Sequence, residues 1–265
     1  MQRYAIINKP LGQTPLEAVE MFREAQKIGK DVPLSYAGRL DPMASGKLLL
    51  LIGDECKKQK RYTGLDKEYE VEVLLGVGSD TGDVLGIPTI GPTVSPSRDR
   101  IQGALKDEVG IHERAYPAFS SKTVAGKPLF LYALEGTLDS IEIPTHEEIF
   151  YRIDLIDVGA LSSQELTSRV ESILSHTPTS DEPSKALGAD FRINTIRPAW
   201  QELLKANTTY PFLKIRVICG SGAYMRTLAG SIGKSLGTKG LALSIKRTRI
   251  GRYRTFPFHF WTRSY

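Results

Sequence analysis

The chain of 265 residues is 41% hydrophobic and 25% charged, a globular balance that excludes a disordered or fibrous protein and fills one large domain or two small ones. Its net charge of +5 and pI near 9.1 favour a polyanionic partner without requiring one. No run approaches the about 20 apolar residues of a membrane helix, the opening MQRYAIINKP lacks a signal-peptide pattern, and Cys56 and Cys219 have no paired spacing, so the expectation is a cytoplasmic protein with no membrane partner, disulfide or zinc site.

Tyr4 to Ile7 reads as a short strand, turned at Lys9-Pro10-Leu11-Gly12 into a helix opened by Thr14-Pro15, with Leu16, Val19, Met21 and Phe22 as its apolar face. Ser35 to Gly46 is turn-rich and runs into Leu48 to Ile52, an apolar stretch of buried-strand length, so Asp41 stands on a loop entering a core strand. Tyr69 to Leu75 alternates as a half-buried strand, and a Gly/Asp/Pro-rich loop follows from Gly78 to Pro96.

Arg98 to Val109 is a predicted helix stopped at Gly110. Phe150 to Val158 and Phe212 to Cys219 alternate as strands; between them lie a helix at Ser162 to Leu174 and a polar loop at Thr177 to Asp190. Met225 to Leu236 is a last helix, closed by Gly237. With no repeat and no regular βαβ rhythm, the predicted fold class is α+β, its central sheet mixed and mostly antiparallel, flanked by helices and loops.

Cations gather at Lys57, Lys58, Lys60 and Arg61 near Tyr62, and at Lys246, Arg247, Arg249, Arg252 and Arg254 near Tyr253. Basic patches with aromatics fit a surface that tracks phosphates. The four histidines are scattered singly and carry no assigned chemistry, and neither a GxGxxG nor a P-loop pattern occurs in a suitable context.

Four separated segments resemble the TruB family of tRNA pseudouridine-55 synthases, in the family's order. They are Asn8-Lys9-Pro10-Leu11-Gly12-Gln13-Thr14; Gly38-Arg39-Leu40-Asp41-Pro42-Met43-Ala44-Ser45-Gly46; Asp66-Lys67-Glu68-Tyr69 with Ser79-Asp80-Thr81-Gly82-Asp83; and Gly222-Ala223-Tyr224-Met225-Arg226-Thr227-Leu228-Ala229 with Lys246-Arg247-Thr248-Arg249-Ile250-Gly251. A looser fifth stretch, Tyr116 to Lys122 through Gly126-Lys127-Pro128, is similar to the family's RNA-gripping segment. Tyr36 stands where most bacterial members carry a histidine that contacts RNA, Asn8 replaces an aspartate, and Ile245 stands where a leucine usually lines the site.

The resemblance implies a pseudouridine synthase fold and isomerisation of a flipped-out tRNA uridine at position 55. It implies Asp41 as the catalytic aspartate and Arg226 as its ion-pair partner, with Tyr69 as the base-stacking face. Tyr224 forms a second wall, Ile245 apolar lining, and Tyr36 and Lys9 further contacts, Lys9 chiefly as support for the catalytic loop. The expected partner is the tRNA T-stem-loop, and the expected state a monomer with no obligate protein partner, metal or cofactor. Residues 1–256 would form the catalytic domain with an insertion at about 162–208, and 257–265 a short tail without a separate RNA-binding domain.

Arg39-Leu40-Asp41 before a leucine run also resembles ribosomal RNA pseudouridine synthases, and a non-catalytic RNA-binding or RNA-folding protein of the same fold is a further alternative. Gly222 to Leu228 and the Asp80-Thr81-Gly82-Asp83 stretch favour the tRNA enzymes. Retention of both Asp41 and Arg226 favours catalysis.

Overall fold

A computed structural model describes residues 3–177, 191–206, 208–256 and 258–265; most of the loop expected at Thr177 to Asp190 lies outside the described residues. In chain order, β1 (Tyr4–Lys9) leads to α1 (Pro15–Ala25), capped by Thr14 and Glu17 in a reciprocal capping box with Pro15 in the first turn. The stretch read as turn-rich contains β2 (Leu34–Ala37) before β3 (Ala44–Ile52). After a 3-10 turn come α2 (Gln59–Thr63) and β4 (Asp66–Leu75). The loop expected from Gly78 holds a small hairpin, β5 (Val77–Ser79) with β6 (Pro88–Ile90).

Then follow α3 (Arg98–Asp107), β7 (Gly110–Ala115), the two-residue strands β8 (Thr123–Val124) and β9 (Lys127–Pro128), and α4 (Leu129–Glu135). Next are β10 (Thr145–Ser162), α5 (Ser163–His176), α6 (Ile193–Leu204), β11 (Thr209–Cys219), α7 (Met225–Ser235), β12 (Gly240–Arg254) and β13 (Phe260–Ser264).

The main sheet runs β1-β3-β12-β4-β11-β10-β7, with β2 also on β3 and β13 also on β12. All its pairings are antiparallel except β12 with β3, which brings Ile245 beside Ala44 and Arg247 beside Gly46. The expected mixed, mostly antiparallel α+β architecture is therefore observed. Leu48 to Leu51 are wholly buried, at about 1.5–3 kcal/mol of burial each, which explains an apolar run without alternation: both faces of β3 are covered. Among the described residues no helix is long and apolar enough to cross a membrane.

Two expectations fail locally. Along α1, Val19 is buried and Phe22 packs beside it as expected, but Leu16 and Met21 are exposed, and Pro15 and Ala18 complete the buried face. Helix α6, unmarked in the sequence reading, buries Ile193, Ile196, Trp200 and Leu204 against the main core; its Pro198 reads as a breaker, yet it lies inside the helix. Trp200 donates its indole N–H to the Val84 carbonyl at 3.0 Å, tying this helix to the loop after β5.

Candidate active site

Asp41 stands between β2 and β3 on a loop held from three sides. Arg247 of β12 is only 1% exposed. Its Nε–H donates to the Lys47 carbonyl at 2.7 Å, and its terminal nitrogens donate to the carbonyls of Gly38 (3.0 Å) and Arg39 (3.3 Å). From the other side the Gly12 N–H donates to the Pro42 carbonyl at 2.8 Å, and the Ala44 N–H closes the turn onto the Asp41 carbonyl at 2.9 Å. Gly46 takes φ of 103°, and a Cβ there would meet the Arg247 carbonyl at 2.2 Å, so only glycine lets β12 approach this closely.

The ionic centre is Arg226, near the start of α7 and 6% exposed. Its Nε lies 3.1 Å from Oδ2 of Asp41 and 3.6 Å from Oδ2 of Asp83, aligned for a hydrogen bond to neither. The terminal nitrogens donate to the carbonyls of Thr81 (2.8 Å) and Phe119 (3.0 Å), so the guanidinium is clamped from behind. Burial opposes its charge, but Asp41 and then Asp83 outweigh that and raise its pKa.

Asp83 is buried and accepts hydrogen bonds from the Thr81 hydroxyl (2.7 Å) and the Leu85 N–H (2.8 Å). Burial pushes its carboxyl up to about 6 against the pull of Arg226. Asp41, by contrast, keeps 39% of its side chain exposed, and is the carboxylate of the pair that a substrate can reach.

Tyr69 of β4 is buried opposite Arg247, and burial raises its hydroxyl pKa while Arg247 opposes the rise. Tyr224, the residue before α7, is likewise raised by burial, and both tyrosines sense the charge of Asp41. Ile245 is buried beside Ala44 at the loop's exit.

Lys9 lies almost wholly inside, its ammonium donating to the carbonyls of Pro10 (3.0 Å) and Gln13 (2.7 Å). Burial lowers its pKa to about 8, against the attraction of Asp41. Tyr36 is set apart: its ring packs against the cluster of Ala5, Ala18, Val19 and Leu50 under α1, and no described contact joins it to Asp41.

The basic clusters divide on folding. Lys57, Lys58, Lys60 and Arg61 are exposed, as a phosphate-tracking surface requires, but Arg247 is interior and Tyr62 and Tyr253 are both buried. Strand pleating puts neighbouring residues on opposite faces, so Lys246 and Arg247 part company.

Sequence reasoning also left Lys67 and Glu148 without roles. Lys67 donates to the carbonyls of Thr63 (2.8 Å) and Leu65, and burial lowers it to about 8. Glu148, wholly buried, accepts the Tyr224 N–H at 2.7 Å and pairs with Arg114 at 3.1 Å. Lys67 carried a signal, its place in the Asp-Lys-x-Tyr segment; Glu148 carried none, because a strand glutamate reads as solvated. Among the described residues no three histidines, cysteines or carboxylates converge as a metal site.

The sequence profile described as TruB family pseudouridylate synthase, N-terminal domain, matches residues 24–172. A tRNA pseudouridine synthase B of Caldicellulosiruptor saccharolyticus is 28% identical over 251 residues, covering 95% of this chain and 68% of the relative. One of Parabacteroides distasonis is 29% identical over 248 residues, covering 92% and 83%. Another, of Aromatoleum aromaticum, covers 94% of this chain at 28% identity, but this chain spans only 63% of its length.

Among solved structures, a Cbf5-Nop10-Gar1 complex contains a chain similar in fold at a TM-score of 0.56 and 16% identity, covering 94% of this chain and 49% of that one. A chain in an H/ACA RNP bound to a substrate RNA containing 2'-deoxyuridine gives a TM-score of 0.51 at 15% identity, over 94% and 47%. The protein thus spans about half the length of the solved chains it resembles.

Proposed function

The chain belongs to the TruB family of pseudouridylate synthases, and from that membership we propose that it isomerises uridine 55 in the T-loop of tRNA to pseudouridine, with Asp41 as the reacting carboxylate. The observation that carries the reading is the half-exposed Asp41 held 3.1 Å from a buried, carbonyl-clamped Arg226.

In this reaction the C1'–N1 bond breaks, the uracil turns and a C1'–C5 bond forms; C5 gives up a proton and N1 carries one in the product. Reactant and product are isomers, so no electron or group donor is consumed. One carboxylate can serve, as a nucleophile toward the sugar or base or as a base at the ribose, and each route requires it ionised. Arg226 pairs with that carboxylate at 3.1 Å, and its two carbonyl bonds keep the guanidinium from following substrate out of the pocket.

Flipping the uridine costs a few kcal/mol of stacking, which an aromatic face recovers at about 1–3 kcal/mol per base. Tyr69 supplies that face, with Tyr224 and Ile245 as further walls. The ammonium groups of Lys9 and Lys67 are already engaged by carbonyls, so they contribute positive potential to the loop, and Tyr36 offers RNA the open edge of its half-buried ring. The active unit in this reading is a monomer with no obligate protein partner. Its catalytic domain spans residues 1–256, with 162–208 as an insertion and 257–265 as a tail whose β13 pairs back onto β12.

Pseudouridine mapping on an unmodified tRNA transcript, with the intact chain and with Asp41→Asn in parallel, tests the reading. Conversion in the T-loop that vanishes in the variant is expected. Conversion confined to ribosomal RNA, or conversion that survives Asp41→Asn, would overturn it.

A further inference from the structure

The connection between β12 and β13, with the first residue of β13, exposes aromatic rings that no part of the described fold uses. Phe256 is 87% exposed, Phe258 75% and Phe260 45%, which is unusual for three large apolar residues so close in the chain. The cations beside them are also unanswered. Arg252 and Arg254 project outward from β12 and Arg263 from β13, and among the described residues none of the three forms an ion pair with a carboxylate.

The strand register sharpens this. Arg252 faces Arg263 directly, and Arg254 faces Phe260. Like charges directly opposite in an antiparallel pair destabilise it, so the arrangement is one that an external anion relieves. Arg249 lies over the Trp261 ring at 5.3 Å and Arg263 over Tyr265 at 4.8 Å, so two arginines of this strand pair lie against ring faces.

A polyanion that also presents flat apolar faces is a single-stranded nucleic acid. A partner protein matching these rings would have to be acidic and apolar together, and a second copy of this chain would bring the same arginines into repulsion. The surface lies at the far end of the strand that carries Arg247. Beside it, a polar cleft of about 320 Å³ is lined by Arg252 and Arg254, by the carboxylates Asp66 and Glu147, and by Gly220 and Ser221 of the turn that precedes Tyr224 and Arg226. Along β12, Arg254 lies about 23 Å from Arg247 at about 3.3 Å per residue.

We propose that the β12–β13 hairpin is a second RNA-binding surface, on which unpaired nucleotides stack on Phe256, Phe258 and Phe260 while Arg252, Arg254 and Arg263 take their phosphates. It rests on the reading of the chain as an RNA-modifying enzyme and adds an anchor remote from the flipped uridine. The tail is in this view part of the RNA grip.

Anisotropy of a fluorescein-labelled oligouridylate titrated with the full chain reads binding without isomerisation. Phe256→Ala/Phe258→Ala is expected to lose at least about tenfold in affinity, tryptophan at both positions to retain it, and leucine at both to lose it. Arg252→Gln/Arg254→Gln is expected to weaken binding and flatten its salt dependence. Unchanged affinity in the alanine variant, or full affinity in the leucine variant, overturns the proposal. So does a dimer in sedimentation that the alanine variant loses, because the rings would then meet a second copy. An intact chain that binds the oligonucleotide through these phenylalanines yet makes no pseudouridine would sink the proposed activity and leave this surface standing.

Discussion

Arg226 is sealed in the interior while Asp41, 3.1 Å away, is half in solvent. The cation is fixed by the fold, through the carbonyls of Thr81 and Phe119 and through Asp83, and the anion it faces remains open to a ligand. The two ends of this ion pair therefore have different consequences when removed.

Asp41→Asn leaves Arg226 with Asp83 and both carbonyls, so the fold should stay within about 1 kcal/mol of the parent in urea unfolding. Pseudouridine formation should fall by at least about a thousandfold in single-turnover assays. A variant that retains a tenth of the parent rate would remove Asp41 from the chemistry.

Arg226→Met deprives buried Asp83 of its counter-charge and should cost about 3–5 kcal/mol at neutral pH. The pH dependence follows from Asp83 itself, whose carboxyl burial raises from 3.8 to about 6. Between those values the folded chain holds a proton that the unfolded chain releases. The contribution to stability is full below about pH 4 and is lost as pH rises through about 6. Asp83→Asn should remove that component, and urea midpoints of parent and variant compared across this window measure it.

Arg247 donates to three carbonyls around the Asp41 loop. Arg247→Met strands them and should destabilise the chain by at least about 3 kcal/mol. Arg247→Lys keeps the charge but not the fork. It should fold, with kcat lowered about ten- to a hundredfold and KM changed less, because a small shift of the loop displaces the carboxylate. Equal loss in kcat and gain in KM would instead place Arg247 at the substrate.

Trp200 fills the core beneath the loop carrying Asp83 and bonds the Val84 carbonyl. Trp200→Ala should cost about 3–5 kcal/mol in urea unfolding. A loss below about 1 kcal/mol would show that α6 is an appendage.

The residue order by itself determined the strands and helices whose signals are local. Thr14, Pro15 and Glu17 cap α1, the unbroken leucines of β3 announce burial on both faces, and Gly237 ends the helix that carries Arg226, because each of these depends on neighbours a few residues away. The candidate residues Asp41, Tyr69, Tyr224 and Arg226 were named through the resemblance of their segments to a family, because no local pattern by itself gives them a role.

The fate of each charge was decided only by the tertiary structure. Lys246, Arg247, Arg249, Arg252 and Arg254 read alike in sequence, as one basic patch fit to track phosphates. The pleat of β12, its bulge between Arg247 and Arg249, and its parallel contact with β3 send Arg247 into the interior and leave Arg252 and Arg254 outside. Asp83 and Glu148 were hidden likewise, since their partners, Arg226 and the Tyr224 N–H, lie far along the chain. Whether a charge is buried and neutralised or left in water depends on long-range pairing, which no local pattern encodes.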